Sequence, residues 1–160
     1  MTIAFYIAAA IAIGATLAAV VKQNAVHALL YLIVSFLSVG VIFYLLGAPF
    51  LAALEIIIYA GAIIVLFLFV VMLLNLGPGS ADSHFARPSV WIGPGVLSAL
   101  LLILVMAVLV QGEGHPLGGE RVGPKAVGLA LFGPYLLAVQ LAGLLLLAGL
   151  VGATHLRRRA

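Results

Sequence analysis

Glu55 is the only carboxylate inside a long apolar run of this 160-residue sequence, and Tyr59 follows it one helical turn later. On a helix, residues four apart share a face. A charge held in lipid is costly, so such a residue faces protein or water. Two readings of Glu55 stand side by side. It is a proton-accessible carboxylate, or it is an interfacial side chain that reaches headgroup water. The second has weight because Glu55 lies only about 7.5 Å into its run at about 1.5 Å per residue. The Tyr59 hydroxyl could bond Glu55 or water, or belong to a packed aromatic. Further on, Gly61 sits among Ile63, Ile64 and Val65 on one side and Ile56, Ile57 and Ile58 on the other. Glycine in mid-helix weakens the local backbone preference and admits a close neighbour. Two readings stand here as well: the stretch Tyr59–Val65 hosts a local irregularity such as a π-bulge, or Gly61 merely allows packing, as most glycines in membrane helices do.

A second set of polar side chains precedes it. His27, Tyr31, Ser35 and Ser38 recur at spacings of four, four and three, which is one stripe of a helix. The stripe reads either as a hydrated polar path or as interhelical hydrogen bonding, with serines bonded back to their own helix. Gln140 is a further polar residue in an apolar run, about 9 Å from its start, a depth similar to that of Glu55. His27 and His155 near helix ends suggest paired haem ligation only weakly, since interfacial histidine is far commoner. His84 and His115 fall in loops. No metal site and no catalytic residue is expected, and with no cysteine in the chain, thiolate chemistry and iron–sulfur ligation are excluded.

The elements that must carry these residues follow from composition. Hydrophobic residues make up 66% of the chain and charged residues 7%, against about 25% charged in a soluble domain. Apart from Glu55, the seven basic and four acidic residues fall between apolar runs or at the C-terminus. A spanning helix needs roughly 20 apolar residues. Without water the backbone must be satisfied within each segment, so these runs are helices. The expected fold is all-α, a single membrane domain of five transmembrane helices at 3–21, 27–46, 50–74, 90–110 and 134–154. Asn24 is the expected N-cap of the second helix. Gly47-Ala48-Pro49 is a tight turn, Gly77-Pro78-Gly79-Ser80 a loop, and 126–132 a short interfacial piece.

Lys22, Arg87, Arg157, Arg158 and Arg159 fall on one side of this arrangement, and Arg121 and Lys125, with Glu113 and Glu120, on the other. The positive-inside rule then sets the N-terminus outside and the C-terminus in the cytoplasm. No basic residue precedes the first run, so it reads as a retained helix rather than a signal peptide. A net charge of +3 carried at helix ends points to lipid headgroups, not nucleic acid. Pairs of small residues four apart, Ala8/Ala12, Ala15/Ala19, Ala138/Ala142 and Gly149/Ala153, allow close helix approach.

The segment NAVHALLYLIVSFL at 24–37, followed by LEIIIYAGAIIVLFLFVVMLLN at 54–75, closely resembles the J-type membrane subunit of bacterial respiratory complex I, counterpart of mitochondrial chain 6. The likeness extends to VWIGPGVLSA (90–99) and ALFGPYLLAVQLAGLLLLAGL (130–150). This resemblance implies a non-redox membrane-arm subunit of a proton-pumping NADH:quinone oxidoreductase in the bacterial inner membrane. It implies no cofactor on this chain, while the complex carries FMN, iron–sulfur clusters and quinone. Its implied partners are the H-, A- and K-type subunits and the antiporter-like subunits. By position, Glu55, Tyr59, Gly61 and Val65 carry over onto a third helix whose α–π conversion gates a water path toward carboxylates of the K-type neighbour.

Two positions depart from the family pattern: Ala25 stands where proline is frequent, and Gln140 where a carboxylate is common. Two other functions compete. One is a related subunit of a cation/proton antiporter or membrane-bound hydrogenase complex, and the other a structural or assembly protein.

Overall fold

The computed structural model describes residues 1–73, 91–110 and 117–157, and all regular structure among them is helical. Helix α1 spans Thr2–Val21 and α2 spans Ala25–Leu45. A third span, Pro49–Leu73, has three parts: α3 (Pro49–Leu54), a π-helical segment (Glu55–Ile63) and α4 (Ile64–Leu73). Then come α5 (Ile92–Val110), α6 (Pro124–Leu131) and α7 (Leu136–Arg157). Among the described residues, five stretches are long and apolar enough to cross a membrane: Thr2–Val21, Ala25–Leu45, Pro49–Leu73, Trp91–Val110 and Leu136–Leu156. Leu74, Val90, the 77–80 loop, His84, Arg87, Glu113, His115, Arg158 and Arg159 lie outside the described residues.

Caps set the boundaries. Asn24 Oδ1 accepts the Val26 N–H at 3.0 Å and the His27 N–H at 3.4 Å, so α2 starts at Ala25, two residues before the expected His27. Such a cap satisfies backbone donors that the first turn leaves open. At the other end the Ala48 N–H returns to the Phe43 carbonyl at 2.9 Å, and Gly47 takes φ 89°. That left-handed conformation is one that glycine alone adopts without penalty. Pro49 then occupies the first helical position, where its missing N–H costs nothing.

The chain falls into two compact units, Met1–Arg121 and Val122–Ala160. In the first, α2 is central and touches α1, α5 and every part of the third span. Its core joins Ala8, Ile11 and Ala15 of α1 with Val34 of α2 and Leu101 and Leu104 of α5. Alanine on α1 is what lets the first two helices close up, since lipid offers no hydrophobic drive toward association.

In the second unit, α6 begins at Pro124 rather than at the expected 126, because Gly123-Pro124 forms a ready helix start. The last span begins at Leu136, not Pro134. The Tyr135 N–H reaches back to the Ala130 carbonyl at 3.1 Å, so residues 133–135 form a turn. A Cβ on Gly133 would stand 2.6 Å from the Leu129 carbonyl oxygen, so only glycine fits that turn. α7 then continues past the expected Thr154 to Arg157. No residue of its Leu136–Leu156 span is buried. A helix apolar on all sides is built for lipid or for other chains.

Candidate functional site

The π segment is the unusual element. Glu55–Ile63 pairs i→i−5, and at its end the Ile64 N–H donates to the Tyr59 carbonyl. π-Helices occur mostly as single turns and often at functional sites. The irregularity was expected at Tyr59–Val65, but it begins one turn earlier and closes before Val65, which lies in regular α4. Composition marked the glycine and the β-branched residues, whereas the break itself is a matter of backbone pairing. A Cβ on Gly61 would meet the Ile56 carbonyl oxygen, five residues back in its own helix, at 3.2 Å. Among the described residues, no atom of another helix lies within 4 Å of that point, so the close contact of Gly61 is with its own helix.

Glu55, the first π residue, is half-buried. Among the described residues it makes no hydrogen bond with Tyr59. The Tyr59 ring, 46% exposed, leans on Phe36 of α2 at 5.4 Å between centroids. Ile64, 1% exposed, is the deepest side chain of the third span.

The stripe on α2 is buried along its length: His27, Tyr31, Ser35 and Ser38 all face protein. The serines bond to α1, not back to α2. Ser38 Oγ donates to the Ala8 carbonyl at 2.7 Å, and Ser35 Oγ to the Ala12 carbonyl at 3.2 Å. Thr16, which the sequence reading missed, completes this ladder. Its Oγ1 donates to the Ala12 carbonyl at 2.8 Å and lies 2.7 Å from Ser35 Oγ. The available signal was a lone hydroxyl one turn beyond Ala12, next to small residues.

Tyr31 points elsewhere. Its hydroxyl rests against Gly93 in the first turn of α5, where a Cβ would collide with it. The Lys22 ammonium stands 5.9 Å from the centroid of the same ring, within cation–π range. Gly93→Ala should therefore destabilise the α2–α5 contact by about 1–3 kcal/mol, the usual cost of overpacking. Tyr31→Phe, which removes the colliding oxygen, should recover part of that loss. Thermal unfolding of the two single variants and the double variant would test this, and additive losses would contradict the contact.

An apolar cavity of about 340 Å³ lies between α2, the start of the third span and α5, lined by Gly40, Ala52, Ile56 and Val108 among others. Its walls offer water no partners. A second cleft of about 350 Å³ between α1 and α2 touches the third span only at Val71.

Gln140 lies on exposed α7 in the second unit, whereas Glu55 belongs to the first. The two histidines considered for haem are divided in the same way, His27 in the first unit and His155 in the second. Among the described residues, no three His, Cys, Asp or Glu side chains gather at a point.

With this geometry in place, the relatives of the chain become informative. Residues 15–156 match the family described as NADH-ubiquinone/plastoquinone oxidoreductase chain 6. The chain is 52% identical over 162 residues to the NADH-quinone oxidoreductase subunit J of Pseudomonas aeruginosa, covering 99% of this chain and 98% of that one. It is 52% identical over 160 residues to the subunit J of Escherichia coli, at 99% and 87% coverage. The subunit J of Rhodobacter capsulatus is 39% identical over 166 residues, at 98% and 81% coverage.

Proposed function

The chain belongs to the NADH-ubiquinone/plastoquinone oxidoreductase chain 6 family, and on that premise we propose that it is the J-type membrane-arm subunit of a proton-pumping NADH:quinone oxidoreductase. The observation that supports a coupling role is the nine-residue π segment that opens on the half-buried Glu55. An i→i−5 stretch becomes regular helix when each of its amides moves to the carbonyl one residue later. If the Ile64 N–H moves from the Tyr59 carbonyl to that of Ala60 and the amides before it follow, the segment tightens and the helix on one side of it turns relative to the other by about 100°, one residue of an α-helix. That motion carries Glu55 and Tyr59 across the face of α2. Glu55, Tyr59, Gly61 and Val65 are the residues of this switch, and it opens or closes a water path toward a neighbouring subunit's carboxylates.

The chain itself carries out no redox step in this reading. FMN, iron–sulfur clusters and quinone belong to other subunits, and its neighbours are the H-, A- and K-type and antiporter-like subunits. The chain is a single membrane domain of the bacterial inner membrane in this reading, with the N-terminus outside and the C-terminus in the cytoplasm. Ser35 and Ser38 fix α2 against α1, Tyr31 meets α5, and His27 completes the buried stripe. Gln140 replaces a proton-carrying carboxylate on the outer side.

Purifying the tagged chain from its native membrane tests the assignment. The expected result is a multisubunit assembly that contains flavin and iron–sulfur protein and reduces quinone with NADH. Recovery with an antiporter or a hydrogenase instead, or recovery alone, would refute it.

A further inference from the structure

The cleft between α1 and α2 opens where the hydroxyl ladder ends. Ser38 and Ser35 tie α2 to the Ala8 and Ala12 carbonyls, and Thr16 meets Ser35 as the last rung. Beyond that rung, Ala19 of α1 and Ala25 and Ala28 of α2 are too small to fill the space between the helices. They line a cleft of about 350 Å³. Thr16 is the one polar side chain on its wall, and its hydroxyl is already engaged by the Ala12 carbonyl and Ser35 Oγ. The slot therefore offers a ligand apolar contact and no free hydrogen-bonding group, which suits hydrocarbon.

Its depth matches one leaflet. Along α2 the cleft runs from Ala25 to Leu32, about 10 Å at about 1.5 Å per residue. Half of a hydrocarbon core of about 30 Å is about 15 Å. A membrane-crossing helix of another subunit would lie along the whole α1–α2 pair, but the ladder shuts this slot at Thr16. A lipid chain needs only the depth of its own leaflet.

Charge stands at the mouth. Val20, 79% exposed, and Ala25 border the opening, and the linker between them contains Lys22. Lys22 is exposed, its ammonium stands 5.9 Å from the centroid of the Tyr31 ring, and among the described residues no carboxylate pairs with it. A cation at the end of a span, beside a hydrocarbon slot, complements a phospholipid whose headgroup carries negative charge.

We propose that this cleft binds one anionic phospholipid, with an acyl chain between α1 and α2 and its phosphate at Lys22. Val71 of α4 also lines the cleft, so the same chain fills the gap between the α1–α2 pair and the end of the third span. None of these residues belongs to the π segment, and the site is independent of any coupling role.

The test uses the assembled membrane complex, reconstituted in phosphatidylcholine vesicles that carry a minor share of a phosphatidylglycerol with a photoreactive diazirine in one acyl chain. Illumination followed by peptide mass spectrometry should place label within residues 16–32. Lys22→Gln should lower that labelling about fivefold, the effect of one basic residue at an anionic surface. A diazirine phosphatidylcholine in the same share should label the segment about as little in the wild type as in Lys22→Gln. Ala28→Leu fills the slot and should suppress labelling of the segment by the anionic probe, with label elsewhere on the complex unchanged. Ala25→Leu narrows the exposed mouth and serves if Ala28→Leu does not assemble. Equal labelling by the two lipids, or labelling that neither Lys22→Gln nor the filled slot reduces, overturns the proposal. No label within residues 16–32 of the assembled complex would mean that another subunit covers the cleft, and overturns it as well.

Discussion

Gly61→Leu should leave NADH oxidation by a soluble acceptor intact and remove most quinone-linked proton pumping. The reason lies within one helix. A Cβ at Gly61 would stand 3.2 Å from the Ile56 carbonyl oxygen, within the π segment and closer than ordinary contact. A side chain there crowds the π form. A penalty of about 1 kcal/mol already shifts a two-state ratio roughly fivefold, and leucine adds bulk beyond the Cβ. Gly61→Ala should give a milder version of the same defect. Proton uptake and electron transfer measured on the same vesicles check this. Normal pumping by Gly61→Leu would show that the π form is not needed for coupling.

The chain produced without its partners should oxidise no NADH and should aggregate or be degraded. It has no cysteine for a cluster, and no trio of metal-ligating side chains appears among the described residues. Its Leu136–Leu156 span buries nothing, and half-buried Glu55 makes no hydrogen bond among the described residues. Lipid can cover leucine, but a carboxylate at membrane depth needs a polar neighbour or water. Supplying the partner subunits in the same cell should rescue the yield. Turnover by the purified single chain, or a stable monomer in detergent, would contradict this account.

Much of the architecture was legible because composition speaks directly about bilayers. The run from Ile3 to Val21 could only be a span, and Asn24 and Gly47-Ala48-Pro49 mark the ends of α2 through their own backbone chemistry. The α2 stripe was legible as a face, because helical spacing fixes which side chains share it. What that face met was not legible. The acceptors at Ala8 and Ala12 are backbone carbonyls, and no residue type announces them. The niche for the Tyr31 hydroxyl at Gly93, some sixty positions later, is equally silent. The π segment was legible only as a tendency. Gly61 and its β-branched neighbours mark a weak helix, but the start at Glu55 depends on which carbonyl each amide selects.

The hydroxyl ladder between α1 and α2 has a consequence for how the chain is made. Only Lys22, Gln23 and Asn24 separate the two helices, so both are synthesised before any of the third span. Every donor and acceptor of the ladder lies within residues 8–38. The pair can therefore enter the membrane as a hairpin with its interhelical bonds already formed. Loss of Ser38 or Thr16 would then show first during biogenesis, as slow insertion and early degradation. The fully assembled enzyme would work at its ordinary rate, in fewer copies.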